Sequence, residues 1–178
     1  MKKIFLLYFV PLAFLATPLK LLGGLVQKEI AFGQITENEG LSSNRVICIY
    51  QDVYGYMWFG TANGLNRYDG HSFDVFKHSP IDTSTISNNY ILAIDGDTLG
   101  NIWVGTKNGL NIYNWKSNSF TSFNTDDGLV SNKISTLLVS TNRNVFIGTP
   151  KGLNKIKSVS RDIQQIPLKD KSSIALCG

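Results

Sequence analysis

The sequence predicts an all-β fold made of three four-stranded antiparallel repeats behind an N-terminal export-type segment. Three observations lead there. A twelve-residue stretch recurs, as "MWFGTANGLNRY" at 57–68, "IWVGTKNGLNIY" at 102–113 and, more weakly, "VFIGTPKGLNKI" at 145–156. The glycines inside it, Gly60, Gly105 and Gly148, are separated by 45 and 43 residues, as are Asn44, Asn89 and Asn132. Short β-rich runs alternate with turn chemistry, four runs to each unit. A period of about 40–45 residues with four strands apiece is that of β-propeller blades.

The elements follow in order. Lys2 and Lys3 precede an uncharged apolar stretch, 4–15, with the polarity and length of a signal-peptide core. Residues 1–33 therefore read as a signal peptide, Ala31 and Gly33 supplying the small residues before Gln34. The alternative is an uncleaved membrane anchor over 4–26, long enough for a bilayer of about 30 Å but interrupted by Pro11, Pro18 and Lys20. Either way the lysines stay cytoplasmic, and the rest faces the periplasm or the exterior of a bacterial cell. The stretch "EIAFGQIT" at 29–36 is apolar enough to supply a closing strand.

The partial propeller spans 34–168. Its first blade, 40–84, opens on "GLSSN" and predicts strands at 46–51, 57–61, 65–68 and 72–77. The second, 85–127, opens on "TISNN" and predicts strands at 91–95, 102–106, 110–113 and 119–123. The third, 128–168, opens on "GLVSN" and predicts 134–140, 145–149, 153–157 and 162–167, leaving 169–178 as a short tail. Propellers close with about four to eight blades, so the chain reads as an incomplete, truncated propeller. Uncovered outer faces and open edges are expected to make it marginally stable and prone to self-association.

Each recurring residue has a mechanical reading. Asp52 and Asp97 stand three before Gly55 and Gly100, an arrangement in which the carboxylate accepts backbone N–H groups and the glycine supplies φ > 0. A calcium loop is the alternative, but one carboxylate per turn falls well short of the ion's oxygen requirement. Trp58, Trp103 and Phe146 put a large aromatic at one phase of every unit, as inter-blade filling would require, with stacking on sugars as the alternative. Gly60, Gly105 and Gly148 interrupt strands where a neighbouring backbone comes close. Asn63-Gly64 and Asn108-Gly109 read as hairpin dipeptides with φ > 0 at both positions, and Gly152 takes the same place in the third unit.

The formal charge of +4 sits at the two ends, while residues 34–150 carry −3. A basic stripe on the folded part is therefore excluded, and nucleic-acid binding with it. Cys48, inside "VICIY", reads as a small buried hydrophobe rather than as the partner of Cys177. His71 and His78 read as solvated or turn residues. Asp126 and Asp127, adjacent in a turn, make a poor acid–base pair. With no metal spacing, phosphate loop or nucleophile elbow, the sequence implies no catalytic residue, cofactor or metal.

"GLSSNRVICIYQDVYGYMWFGTANGLNRYDG" resembles the two-component regulator propeller repeat: G-L-S-x-N, an apolar strand, D-x-x-G, then W-x-G-T-x-x-G-L-N-x-Y. The resemblance extends over about 40–157, with departures in the third copy at Ser140, Arg143 and Phe146. It implies the periplasmic sensing part of a hybrid two-component sensor of Bacteroidetes type, many of which detect oligosaccharides and signal to a cytoplasmic histidine kinase. The implied partners are a small-molecule ligand, here a glycan fragment, and the remaining blades and kinase of a longer protein. Among the residues of the chain there is neither a nucleotide loop nor a phosphoacceptor histidine, so the module is not expected to be an enzyme. A propeller lyase or hydrolase and a secreted protein-interaction module are the alternatives. No ligand-binding residue is assigned by the sequence.

Overall fold

A computed structural model describes residues 33–157 and 160–167; the export segment, apart from Gly33, and the tail lie outside the described residues. Those described belong, Gly33 excepted, to the unit 34–178. It contains three sheets of four antiparallel strands each, every sheet ordered as its strands occur in the chain. The first has β1 (Val46–Gln51), β2 (Met57–Thr61), β3 (Gly64–Tyr68) and β4 (Phe73–Phe76). The second has β5 (Ile91–Gly96), β6 (Ile102–Thr106), β7 (Gly109–Asn114) and β8 (Ser119–Phe123). The third has β9 (Thr136–Val139), β10 (Asn144–Thr149), β11 (Gly152–Lys157) and β12 (Ile163–Ile166).

The strand pattern explains how the sheets stack. Strand side chains alternate between faces, and β6 is buried along its entire length, so both of its faces must be covered. Ile102 and Val104 join a core with Trp58 and Leu65 of the first sheet, while Trp103 joins one with Val145, Ile147 and Ile156 of the third. The indoles of Trp58 and Trp103 are both fully buried, at equivalent positions between successive sheets.

Glycine marks the closest approach. A Cβ built on Gly60 would lie 2.6 Å from Ile91 Cγ2 and 2.5 Å from Cys48 Sγ; on Gly105 it would lie 2.5 Å from Ile134 Cγ2. Each isoleucine comes from the next unit and fills the space that the missing side chain leaves.

The hairpins differ from the expected dipeptide turns. Thr61 pairs with Gly64 and Thr106 with Gly109, so the central residues are Ala62-Asn63 and Lys107-Asn108. Gly64 and Gly109 have φ of +140° and +121°, but neither Asn63 nor Asn108 is among the positive-φ residues. Negative φ at both centres suits a turn that also admits proline at its first central position, and Pro150 stands there in the third unit. The threonine sets the turn: Thr61 Oγ1 accepts the Asn63 N–H (3.0 Å) and donates to the Gly64 carbonyl (2.9 Å).

One further expectation changes within the described residues. Of the expected closing strand at 29–36, residues 29–32 lie outside the described residues and 33–36 form no strand; Thr36 instead caps a short 3-10 turn, Glu37–Glu39, in a reciprocal box with Glu39. Asp126 and Asp127 sit in the same motif before the third unit, where Asn124 is the cap and Asp127 the returning carboxylate. The carboxylate of Asp127 is thereby committed to holding backbone. In the third unit the β9–β10 turn survives its substitutions: Ser140 N–H donates to the Asn144 carbonyl, Arg143 N–H to the Ser140 carbonyl, and Arg143 takes the glycine's place at φ +63°.

Candidate functional site

The segments that open each unit lie along one rim, beside the β2–β3, β6–β7 and β10–β11 hairpins. A buried side-chain ladder holds them there. Asn66, Asn111 and Asn154, all fully buried, accept the N–H of Ser42, Ser87 and Val130 at 2.8, 2.9 and 3.0 Å. Asn66 Nδ2 donates back to Ser42 Oγ and Asn111 Nδ2 to Ser87 Oγ, both at 2.9 Å. The serines in turn meet Thr61 Oγ1 and Thr106 Oγ1. A buried amide that lost one of these partners would cost about 1–3 kcal/mol, so the rim is rigid where it meets the sheets.

Asn44, Asn89 and Asn132 secure the outer part of the same segments. Their Oδ1 atoms accept the N–H of Glu37, His78 and Thr125 at 2.9, 2.7 and 2.8 Å. The second unit departs from its neighbours. Where the first and third have a capped 3-10 turn, it has a longer loop in which Thr85 Oγ1 accepts the Ser79 N–H and donates to the Asp82 carbonyl.

That loop forms one wall of a cleft of about 320 Å³, with His78, Asp82 and Thr85 on one side and Asn108, Phe123 and Asn132 on the other. His78 is anchored by its main chain to Asn89, and its Nδ1 lies 2.9 Å from the Ile86 carbonyl. The lining is rich in hydroxyl, amide and imidazole groups around one aromatic ring. His71, by contrast, is exposed in the β3–β4 turn, where its N–H donates to Asp69 Oδ1.

The remaining sequence-selected residues are structural in their contacts. Asp52 Oδ1 accepts the N–H groups of Tyr54 and Tyr56, and its Oδ2 accepts Trp58 Nε1 at 2.7 Å. Three donors occupy one carboxylate beside Gly55, whose φ is +91°. Asp97 makes the same pair of backbone contacts, to Leu99 and Asn101, beside Gly100 at φ +84°. Here Asn101 Nδ2 takes Oδ2 at 2.7 Å, and the buried Trp103 Nε1 finds no hydrogen-bond partner among the described residues. Phe146 is only partly buried, with Lys155 Nζ 5.9 Å from its ring centre.

Arg67 is the principal charged group between the first two sheets. It donates to Tyr113 Oη at 2.9 Å and to Asp74 Oδ2 at 2.6 Å. Its guanidinium carbon lies 5.1 Å from the ring centre of Trp115 and 5.2 Å from that of Tyr56. Burial opposes the charge, but Asp74 and Tyr113 outweigh it and raise the Arg67 pKa. Burial raises the Tyr113 phenol, with Arg67 opposing it, and pushes the Cys48 thiol up to about 12. Cys48 therefore stays protonated near neutrality, as a small apolar filler.

Comparison with known proteins agrees with this architecture. The two-component regulator propeller model matches residues 40–63 and 85–108. Histidine kinase P4 of Formosa agariphila is 39% identical over 74 residues, 42% of this chain and 5% of that protein. The extracellular domain of a hybrid two-component system of B. thetaiotaomicron superimposes with a TM-score of 0.68 at 25% identity, over 80% of this chain and 20% of that one. Virginiamycin B lyase from Staphylococcus aureus shares the fold, with a TM-score of 0.56 at 15% identity over 72% of this chain and 43% of its own. The chain thus spans a small part of the sensor proteins it matches. With the matched segments falling on the opening, β1–β2 and β5–β6 parts of successive sheets, the chain is a set of β-propeller blades carrying two-component regulator propeller repeats.

Proposed function

We propose that this chain is a ligand-sensing propeller module of a two-component sensor, acting outside the cytoplasm and doing no chemistry itself. The observation that carries the reading is the agreement of repeat and fold: the regulator-propeller segments lie in the blades that superimpose on the extracellular domain of a hybrid two-component system. In the whole sensor, ligand recognition would be passed to a histidine kinase. Residues 1–33 supply the export signal on this reading, and a periplasm-dependent reporter fused after Gln34 tests it: activity is expected, and a silent reporter overturns the location.

The ligand is a glycan fragment, and it sits in the cleft beside the second unit. Pockets of about 300–1,000 Å³ with few convergent polar groups are the usual small-molecule sites. Hydroxyl, amide and imidazole groups from Thr85, Asn108 and His78 match sugar hydroxyls, and Phe123 offers an apolar wall. Calorimetric titration of the full chain with an oligosaccharide panel tests this. Binding is expected for a subset, weakened roughly tenfold by Asn108→Ala or His78→Ala, the loss of about one hydrogen bond to a bound ligand. A panel without heat or thermal shift overturns the glycan class. Binding untouched by both variants overturns the cleft.

A further inference from the structure

At the end of the sheets opposite the asparagine-held rim, the second unit departs from the repeat once more. It pairs Tyr113 with Phe120 where the first unit pairs Tyr68 with Phe73, so its β7–β8 turn is two residues longer. That turn carries Trp115 to the β5–β6 turn, where its Nε1 donates to the Gly100 carbonyl at 2.7 Å. Tyr54, from the β1–β2 turn of the first unit, meets the indole edge to face, with ring centres 5.3 Å apart. The Tyr54 ring also lies against Gly100, where an added Cβ would come within 2.7 Å of it. Tyr54 is nonetheless 62% exposed. Neither the first unit, at 69–72, nor the third, at 157–162, has an aromatic residue in the turn equivalent to that of Trp115, so the repeat itself does not demand the indole.

These two rings line a cleft of about 300 Å³ whose polar groups come from Asn101, Asn114, Lys116 and Arg161. Local bonds fix how the amides present themselves. Asn114 Oδ1 accepts the N–H groups of Lys116 and Ser117 at 3.0 and 3.4 Å, which leaves its Nδ2 to donate. Asn101 Nδ2 is taken by Asp97, which leaves its Oδ1 as an acceptor. Arg161 is held by its main chain, whose N–H donates to the Lys157 carbonyl at 2.8 Å. Arg67–Asp74 is the one ion pair among the described residues, so neither Lys116 nor Arg161 has a carboxylate partner there. The lining holds no acidic residue, and Asp162, next to Arg161 in the chain, lies outside it. Two cations and an amide donor beside a fixed indole suit a negative group and a flat ring in one molecule.

We propose that this cleft is a second binding site, for a small molecule that joins a carboxylate to a single six-membered ring. The ring lies against Trp115 and Tyr54, while the carboxylate meets Lys116 and Arg161 and accepts from Asn114 Nδ2. Exposed ion pairs by themselves contribute little, so the ring contact is needed as well. The volume is at the lower end of the range of about 300–1,000 Å³ usual for small-molecule sites, which limits the ligand to about one ring. The site lies at the other end of the sheets from the glycan cleft, and neither reading rests on the other.

The test titrates the full chain, by ligand-detected NMR, with phenylacetate and glucuronate, which set the same group on an aromatic and on a sugar ring, and with their neutral counterparts phenylacetamide and glucose. At least one carboxylate is expected to bind about tenfold more tightly than its counterpart, the difference that one charge-assisted hydrogen bond makes. Binding of phenylacetate alone identifies the ring as aromatic and binding of glucuronate alone as a sugar; either supports the site. Lys116→Gln combined with Arg161→Gln, both at exposed positions, is expected to abolish the preference while the β-sheet circular dichroism stays unchanged. Lys77→Gln combined with Lys151→Gln, exposed at the opposite end of the sheets, removes the same charge and is expected to keep the preference. Trp115→Leu is expected to weaken the preferred carboxylate severalfold. Failure of both carboxylates to bind overturns the proposal, as does equal binding of the neutral compounds. A preference that survives the Lys116 and Arg161 changes, or that falls equally with the remote lysine pair, overturns the location.

Discussion

The interface between the first and second sheets and that between the second and third share a skeleton and differ in their filling. Both press an isoleucine against a strand glycine, Ile91 on Gly60 and Ile134 on Gly105. Beyond that contact the first is aromatic, with Trp58, Phe76, Tyr113, Trp115 and Phe120 around Arg67. The second is largely aliphatic around Trp103. The backbone approach is therefore constrained by a few small residues, whereas the space further out accepts any well-packed combination of similar volume.

The largest expected effect is common to both. Trp58→Ala or Trp103→Ala empties a fully buried site and should cost about 3–5 kcal/mol in denaturant unfolding at fixed protein concentration. A loss below about 1 kcal/mol at either site would contradict the burial assigned to it.

Replacing each indole with a phenyl ring separates the two interfaces. Trp58→Phe removes the donor to Asp52 and should cost about 1–3 kcal/mol beyond the volume change. Trp103→Phe removes a buried N–H that makes no hydrogen bond among the described residues, so its cost should stop at the volume change. Equal losses would erase the distinction.

Cys48 and its counterpart Ala93 give a pH test. The thiol moves from an ordinary 9.0 to about 12 on burial. A raised pKa favours the folded state fully below the unfolded value and loses that contribution as pH climbs towards 12. Stability should therefore fall faster above pH 9 in the unsubstituted chain than in Cys48→Ala. Parallel curves would show that the thiol is not buried. A smaller effect is expected in the third unit, where Arg143→Gly should stabilise by about 1 kcal/mol by relieving a left-handed non-glycine residue; a lower melting temperature would contradict that.

The strands were legible because four apolar runs recur with two kinds of turn between them, and repetition averages out local ambiguity. β3, β7 and β11 each begin one residue earlier than expected, at Gly64, Gly109 and Gly152, because the threonine hydroxyl, not a left-handed asparagine, closes the hairpin. Thr61, Thr106 and Thr149, and Asn66, Asn111 and Asn154, were present in all three copies as a signal, yet polar letters beside a glycine read as surface turn. Their burial depends on segments 24 residues upstream, which a local reading does not bring together. The cleft was illegible for a related reason: it arises where the second unit abandons the capped turn of its neighbours, and its walls draw on residues of all three units.

The central claim is that glycine and isoleucine interlock adjacent blades, and a double-mutant cycle on Gly105 and Ile134 tests it most directly. Gly105→Ala alone should destabilise, since its new Cβ meets Ile134 Cγ2 at 2.5 Å, and Ile134→Ala alone should destabilise by opening a cavity. The double variant should be less destabilised than the sum, with a coupling of about 1 kcal/mol or more, as expected for residues in direct contact. Additive losses would mean that the two residues do not share that space, and the interlock would be wrong.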